Sequence, residues 1–117
     1  MKLPSPDNEF LANQYVLAQF PQFRYSQMAF LLAIEAKPGI SHSELAAELG
    51  VTVSALSRNV DVFGSQTGRQ ARQHNHGLVE IFKESTDDRV KAIYLTAKGQ
   101  KFLQTYRGFL YRNLSLN

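Results

Sequence analysis

The chain has 117 residues, 44% hydrophobic and 20% charged, proportions that fit one globular domain and exclude a disordered chain. It has no cysteine, which excludes disulfides, thiol nucleophiles, cysteine metal sites and thiol redox sensing, and it shows no bilayer span or secretory signal, so a cytoplasmic protein without membrane contact is expected. The net charge of +3 arises in residues 96–117, where Lys98, Lys101, Arg107 and Arg112 face no acid, so an anionic partner has to be argued from local placement rather than total charge.

Ser5-Pro6 places an N-cap before a proline at the first helical position. Phe10, Leu11, Val16, Leu17 and Phe20 then recur at roughly helical spacing, which predicts a helix over 6–20 ended by Pro21. A second, strongly apolar helix is expected from about Ser26 to Ala36, through Met28, Leu31, Leu32 and Ile34, and Lys37-Pro38-Gly39 stops it. Ser41 and Glu44 form a capping-box pattern ahead of a short helix with Leu45, Ala46 and Leu49 on one face, and Gly50 breaks it. Thr52 caps the next helix, whose inward face would be Val53, Leu56, Val60 and Phe63. Helix, glycine turn and helix make a helix-turn-helix over 41–63.

Residues 64–77 carry three glycines, three glutamines, two arginines and two histidines with no acid, and read as a loop or a weakly helical extension. Leu78–Lys83 and Val90–Leu95 alternate as strands around a turn over 84–89, which makes a hairpin over 78–95. Thr96 caps a last helix over 97–114 carrying Phe102, Leu103, Tyr106, Phe109, Leu110 and Leu114. The predicted fold class is mainly α with a small β-hairpin, a winged helix-turn-helix flanked by N- and C-terminal helices.

In such a fold the second helix of the helix-turn-helix enters the major groove of DNA and the hairpin reaches beside it. With Val53, Leu56, Val60 and Phe63 inward, Arg58 points most nearly outward, flanked by Ser54 and Asp61 on one side and by Ala55 and Val62 on the other. Arg58 would bond guanine O6 and N7, the methyls of Ala55 or Val62 would touch thymine, and Ser57 would reach phosphate. Arg89, near the tip of the hairpin, would enter a narrow minor groove, with its guanidinium held by Asp87 or Asp61. The alternative for each feature is plain surface: a helix with one solvated arginine and a turn of mixed charge.

Residues 26–63 and 77–99 together resemble the MarR-type winged-helix regulators. The first block contains Q-x-x-x-L, P-G-x-S, E-L-A-x-x-L-G-V-T and S-R-x-V-D. The second contains G-L-V followed by D-x-R-x-K-x-I-x-L-T-x-x-G, where the family has V in place of Ile93. The resemblance implies a sequence-specific transcription regulator, usually a repressor, acting as a homodimer on a pseudo-palindromic double-stranded operator. It places Thr52, Ser54, Ser57 and Arg58 on DNA through the recognition helix, Arg89 in the minor groove and Lys91 as a wing cation. It also implies that Asp61 pairs with the wing arginine.

Two departures from the family pattern stand out. Residues 64–77 lengthen the connection to the wing, and Arg69 and Arg72 would there add phosphate contacts or base readout, with a solvated loop as the alternative. The chain also stops at Asn117, short of a further helix usual in the family. Dimerisation would therefore use the helices over 6–20 and 97–114, through Phe10, Tyr15, Phe20, Phe102, Tyr106, Phe109 and Leu110, more large apolar side chains than one small domain needs. The alternative is that the two terminal helices simply pack on each other.

No nucleophile–base pair, carboxylate cluster or phosphate-binding glycine loop is present, so no enzyme is expected. His74-x-His76 is short of ligands for a metal, and no cofactor or metal is expected. A small-molecule effector, unidentified, would sit near Tyr15, Phe23, Tyr25 and Phe30, although aromatics at such positions are more often core. The competing function is a winged helix used as a protein–protein interaction module with weak or no DNA binding.

Overall fold

Ser5 takes extended backbone (φ −74°, ψ 157°) and its hydroxyl accepts the Asn8 amide at 3.1 Å, so the first orphan N–H groups of a helix are met where the sequence places a cap. Helix α1 follows over Pro6–Gln19. The computed structural model describes residues 3–56, 76–84 and 87–112. Contacts divide the chain into a terminal unit, Met1–Arg24 with Lys101–Asn117, and a central unit, Tyr25–Gln100.

The central unit holds α2 (Tyr25–Ala36), α3 (His42–Leu49), the start of α4 over 53–56, the strands β1 (Val79–Glu84) and β2 (Asp87–Leu95), and the first turn of α5 (Ala97–Leu110). This is the winged-helix order. Phe30, Leu31, Leu45, Leu56, Leu78, Val79 and Ile93 are fully buried, each stabilising the fold by roughly 1.5–3 kcal/mol relative to exposure. The strands pair antiparallel from Val79 with Leu95 to Lys83 with Lys91, and then Glu84 pairs with Asp87.

Thr96 joins the wing to α5. Its amide donates to Leu78 O at 3.0 Å, its hydroxyl donates to Gly77 O at 2.7 Å, and the same oxygen accepts the Gly99 amide at 3.0 Å. A Cβ at Gly99 would lie 2.2 Å from Leu78 O, so the strand approaches as closely as it does only because that side chain is absent.

In the terminal unit, Tyr15, Phe20, Phe23, Phe102 and Phe109 form one ring cluster. Tyr15 lies 5.7 Å from Phe102 and 5.5 Å from Phe109, and Phe20 lies 5.2 Å from Phe102. The Asn8 side-chain amide donates to Leu110 O at 3.1 Å and to Arg112 O at 2.9 Å. These carbonyls would otherwise lack partners at a helix end.

Several sequence expectations need correction. The buried stripe of α1 is Asn8, Ala12 and Val16, continued by Phe20, whereas Phe10, Leu11 and Leu17 are exposed. At about 100° per residue, Phe10 stands about 200° from Asn8, on the opposite side of the helix. Phe20 and Phe102, expected at a partner seam, are buried within the chain, because the aromatic rings stack on one another. Helix α5 ends at Leu110, not 114, where the Asn8 amide caps its carbonyls; Leu114 lies outside the described residues. Val53, expected inward, is 47% exposed, since the first helical residue stands beyond the packed turn. The hairpin turn is shorter than 84–89, because β2 already begins at Asp87. Of the aromatics considered for an effector, Phe30 is core and Tyr25 is 86% exposed.

Replacing Asn8 by Ala removes both donors to the end of α5 and is expected to cost about 1–3 kcal/mol. The shift of the urea midpoint against an Asn13→Ala control at an exposed position measures it; equal midpoints would contradict the role given to Asn8.

Candidate nucleic-acid interface

Lys37-Pro38-Gly39 ends α2 because proline cannot continue the hydrogen-bond ladder and Gly39 takes φ +84°. A side chain at Gly39 would also meet Tyr94, whose Oη is 2.9 Å from the position of a Cβ. The bare backbone therefore comes up against β2. Gly39 N–H donates to Ile93 O, and Ile93 N–H donates to Ile40 O, both at 3.0 Å. The connection that opens the helix-turn-helix is thus tied to the strand that forms the wing.

The capping box of α3 is complete. Ser41 Oγ accepts the Glu44 amide at 3.2 Å, and the Glu44 carboxylate accepts the Ser41 amide at 3.3 Å. Hydrogen bonds with Ser41, first its side chain and then its backbone, hold the Glu44 carboxyl below the usual glutamate range. Lys37 pairs with Glu48, and that bond raises the lysine above its ordinary value. Gly50 closes α3 in the left-handed region (φ 68°) and donates to the Ala46 and Ala47 carbonyls, the usual glycine exit from a helix.

The chain then turns sharply into α4. Thr52 Oγ1 accepts the Ala55 amide at 3.1 Å and Thr52 O accepts the Leu56 amide at 3.0 Å, as expected of an N-cap. Leu56 is fully buried and anchors the helix. Val51, Thr52, Val53 and Ser54 are exposed and Ala55 is partly covered. Residues 51–54 are therefore an outward-facing strip held rigidly from behind. Val51 was not singled out by the sequence pattern and Val53 was expected inward; the β-branched pair flanking the cap was the available signal.

Of the expected DNA contacts, Thr52, Ser54 and Ala55 fall on this strip or at its edge. Ser57, Arg58 and Asp61, with Arg69 and Arg72 of the insertion, lie outside the described residues. Asp87, Arg89 and Lys91 lie on β2. Asp87 pairs with Glu84 and Lys91 with Lys83, so residues 88–90, Arg89 among them, occupy a shift in register between those pairs. Such a bulge bends and twists a strand locally and is a common means of re-aiming it. Among the described residues no group of three acids or histidines is placed to hold a metal, and no helix is long and apolar enough to cross a membrane.

No family model and no curated protein matches the chain. Solved structures do. The transcriptional regulator MosR of Mycobacterium tuberculosis, in complex with DNA, shares 31% identity, with a TM-score of 0.58 over 91% of this chain and 69% of its own. Wild-type MarR of Escherichia coli in its apo form shares 24% identity, with a TM-score of 0.62 over 92% of this chain and 71% of its own. FabT of Streptococcus pneumoniae, in complex with DNA, shares 18% identity, with a TM-score of 0.62 over 91% of this chain and 72% of its own.

The Glu44 carboxylate yields a pH prediction. A carboxyl held below its unfolded value contributes stability above that value and loses it as pH falls through the folded one. Wild type is therefore expected to exceed Glu44→Gln in stability at neutral pH, with the difference closing in acid; urea unfolding at both pH values tests it, and a pH-independent difference would contradict it.

Proposed function

The chain belongs to the MarR-type winged-helix family, and from that premise we propose that it is a DNA-binding transcription regulator, with α4 in the major groove and the wing in the adjacent minor groove. The carrying observation is the exposed strip 51–54, capped by Thr52 and backed by buried Leu56, in the same unit as β2 and tied towards it through Gly39, Ile40 and Ile93. A groove about 12 Å wide admits one helix, and such a strip is what it would meet first. The DNA complexes of MosR and FabT support the reading.

In this reading Arg58 takes guanine O6 and N7, Ser54 and Ser57 reach phosphate or base edges, and Ala55 lies at the rim. Arg89 enters the minor groove, positioned by Asp61 or Asp87, and Lys91 meets the backbone. Arg69 and Arg72 add phosphate contacts from the insertion. The protein acts as a homodimer on a pseudo-palindrome and represses by occupying it. The dimer seam draws on exposed Phe10 and the partly covered Tyr15, Tyr106, Phe109 and Leu110, together with exposed Leu11 and Leu17; Phe20 and Phe102 are buried and do not join it.

Gel retardation of genomic fragments tests the reading. Wild type should retard a subset of fragments in a salt-sensitive way, and Arg58→Ala should lose about 1–3 kcal/mol on the selected site. Lys91→Ala should weaken binding across sequences and lower the log–log salt slope by about one. No retardation at moderate salt would contradict DNA binding and transfer the fold to a protein-interaction role.

A further inference from the structure

Val51 and Val53 are 43% and 47% exposed, one on each side of Thr52. The Thr52 hydroxyl oxygen accepts the Ala55 amide at 3.1 Å, and the Thr52 side chain carries a methyl beside it. Three successive β-branched side chains thus put methyl groups on the strip that opens α4. Val51 precedes the cap, where an apolar side chain commonly packs on the fourth residue of the helix, here buried Leu56, yet 43% of it stays exposed; Val53 has no such partner position, and valine is a poor helix former. Nor do they make a protein-docking site, which would be anchored by aromatic or arginine side chains. Their size and chemistry match a single methyl group presented in a polar groove, and among the base edges of the major groove only thymine offers one.

We propose that Val51 and Val53 read thymine through its 5-methyl group, making this strip a second determinant of operator sequence beside the arginine readout. The inference rests on the DNA-binding reading above and adds residues to it. It also moves methyl recognition from Ala55, which is partly covered, to the residues that stand clear.

The test is a uracil scan. Each thymine of a duplex selected by wild-type protein is replaced in turn by uracil, which removes only the methyl, and binding is titrated with wild type, Val51→Ala and Val53→Ala. At one or more positions uracil should weaken wild type by about fourfold per methyl lost, and the same replacement should cost one of the alanine variants nothing further. Both positions are exposed, so the variants should melt as wild type does; Val51→Thr and Val53→Thr, which keep the β-branched shape and lose one methyl, supply the comparison if an alanine variant does not fold. Penalties that persist undiminished in both variants, or a scan without any penalty in a protein that still binds, would overturn the assignment of the valines alone. Failure of wild type to bind any duplex would overturn the DNA-binding reading and this inference with it.

Discussion

The exchange of backbone hydrogen bonds among Gly39, Ile40 and Ile93 is the constraint on which the putting together of turn and wing depends. Ile93 is fully buried and Ile40 nearly so, so their N–H and C=O groups have little access to water and must find partners in the chain. Leaving one of them unmet costs about 1–3 kcal/mol. The helix-turn-helix therefore starts from a point pinned near the C-terminal end of β2, and Thr96, directly after that strand, pins the same end to Gly77 and Leu78. A hairpin of two strands is marginal by itself; these ties hold it to the helices of the same unit.

Much of this was legible in the sequence because it is written in local chemistry. Ser5, Ser41 and Thr52 cap helices since a hydroxyl at that position meets an orphan N–H whatever lies elsewhere. Gly50 ends α3 because the left-handed turn strongly favours glycine. The blocks P-G-x-S and E-L-A-x-x-L-G-V-T mark the same turns, and they carried the resemblance. What was not legible depends on partners remote in sequence. Which side of α1 turns inward is set by Asn8 reaching the end of α5, and a list of its apolar residues does not contain that contact. The apolar surplus of the terminal helices does not tell which rings are spent inside the chain: Phe20 and Phe102 are buried there, against Phe23, Tyr15 and each other. Arg89 fell outside the turn because a register shift cannot be read from alternation.

The charge distribution fits a reader that relies on shape and a few placed contacts. A net charge of +3 provides little general attraction for a polyanion. The acids of α3 are occupied locally, Glu44 by Ser41 and Glu48 by Lys37, so they are engaged within the fold. In the proposed reading, discrimination comes from individual side chains at base edges, and apolar contacts to thymine would discriminate without adding salt-sensitive affinity.

The central claim is that the α4 strip and the wing form one DNA-binding surface. Amide chemical-shift mapping of isotopically labelled protein on addition of a selected duplex tests it most directly. The account predicts that residues 51–56 and β2 shift together at one stoichiometry while Ala12 and Val16 in α1 stay in place. Shifts confined to either element alone, or centred on the terminal helices, would contradict it.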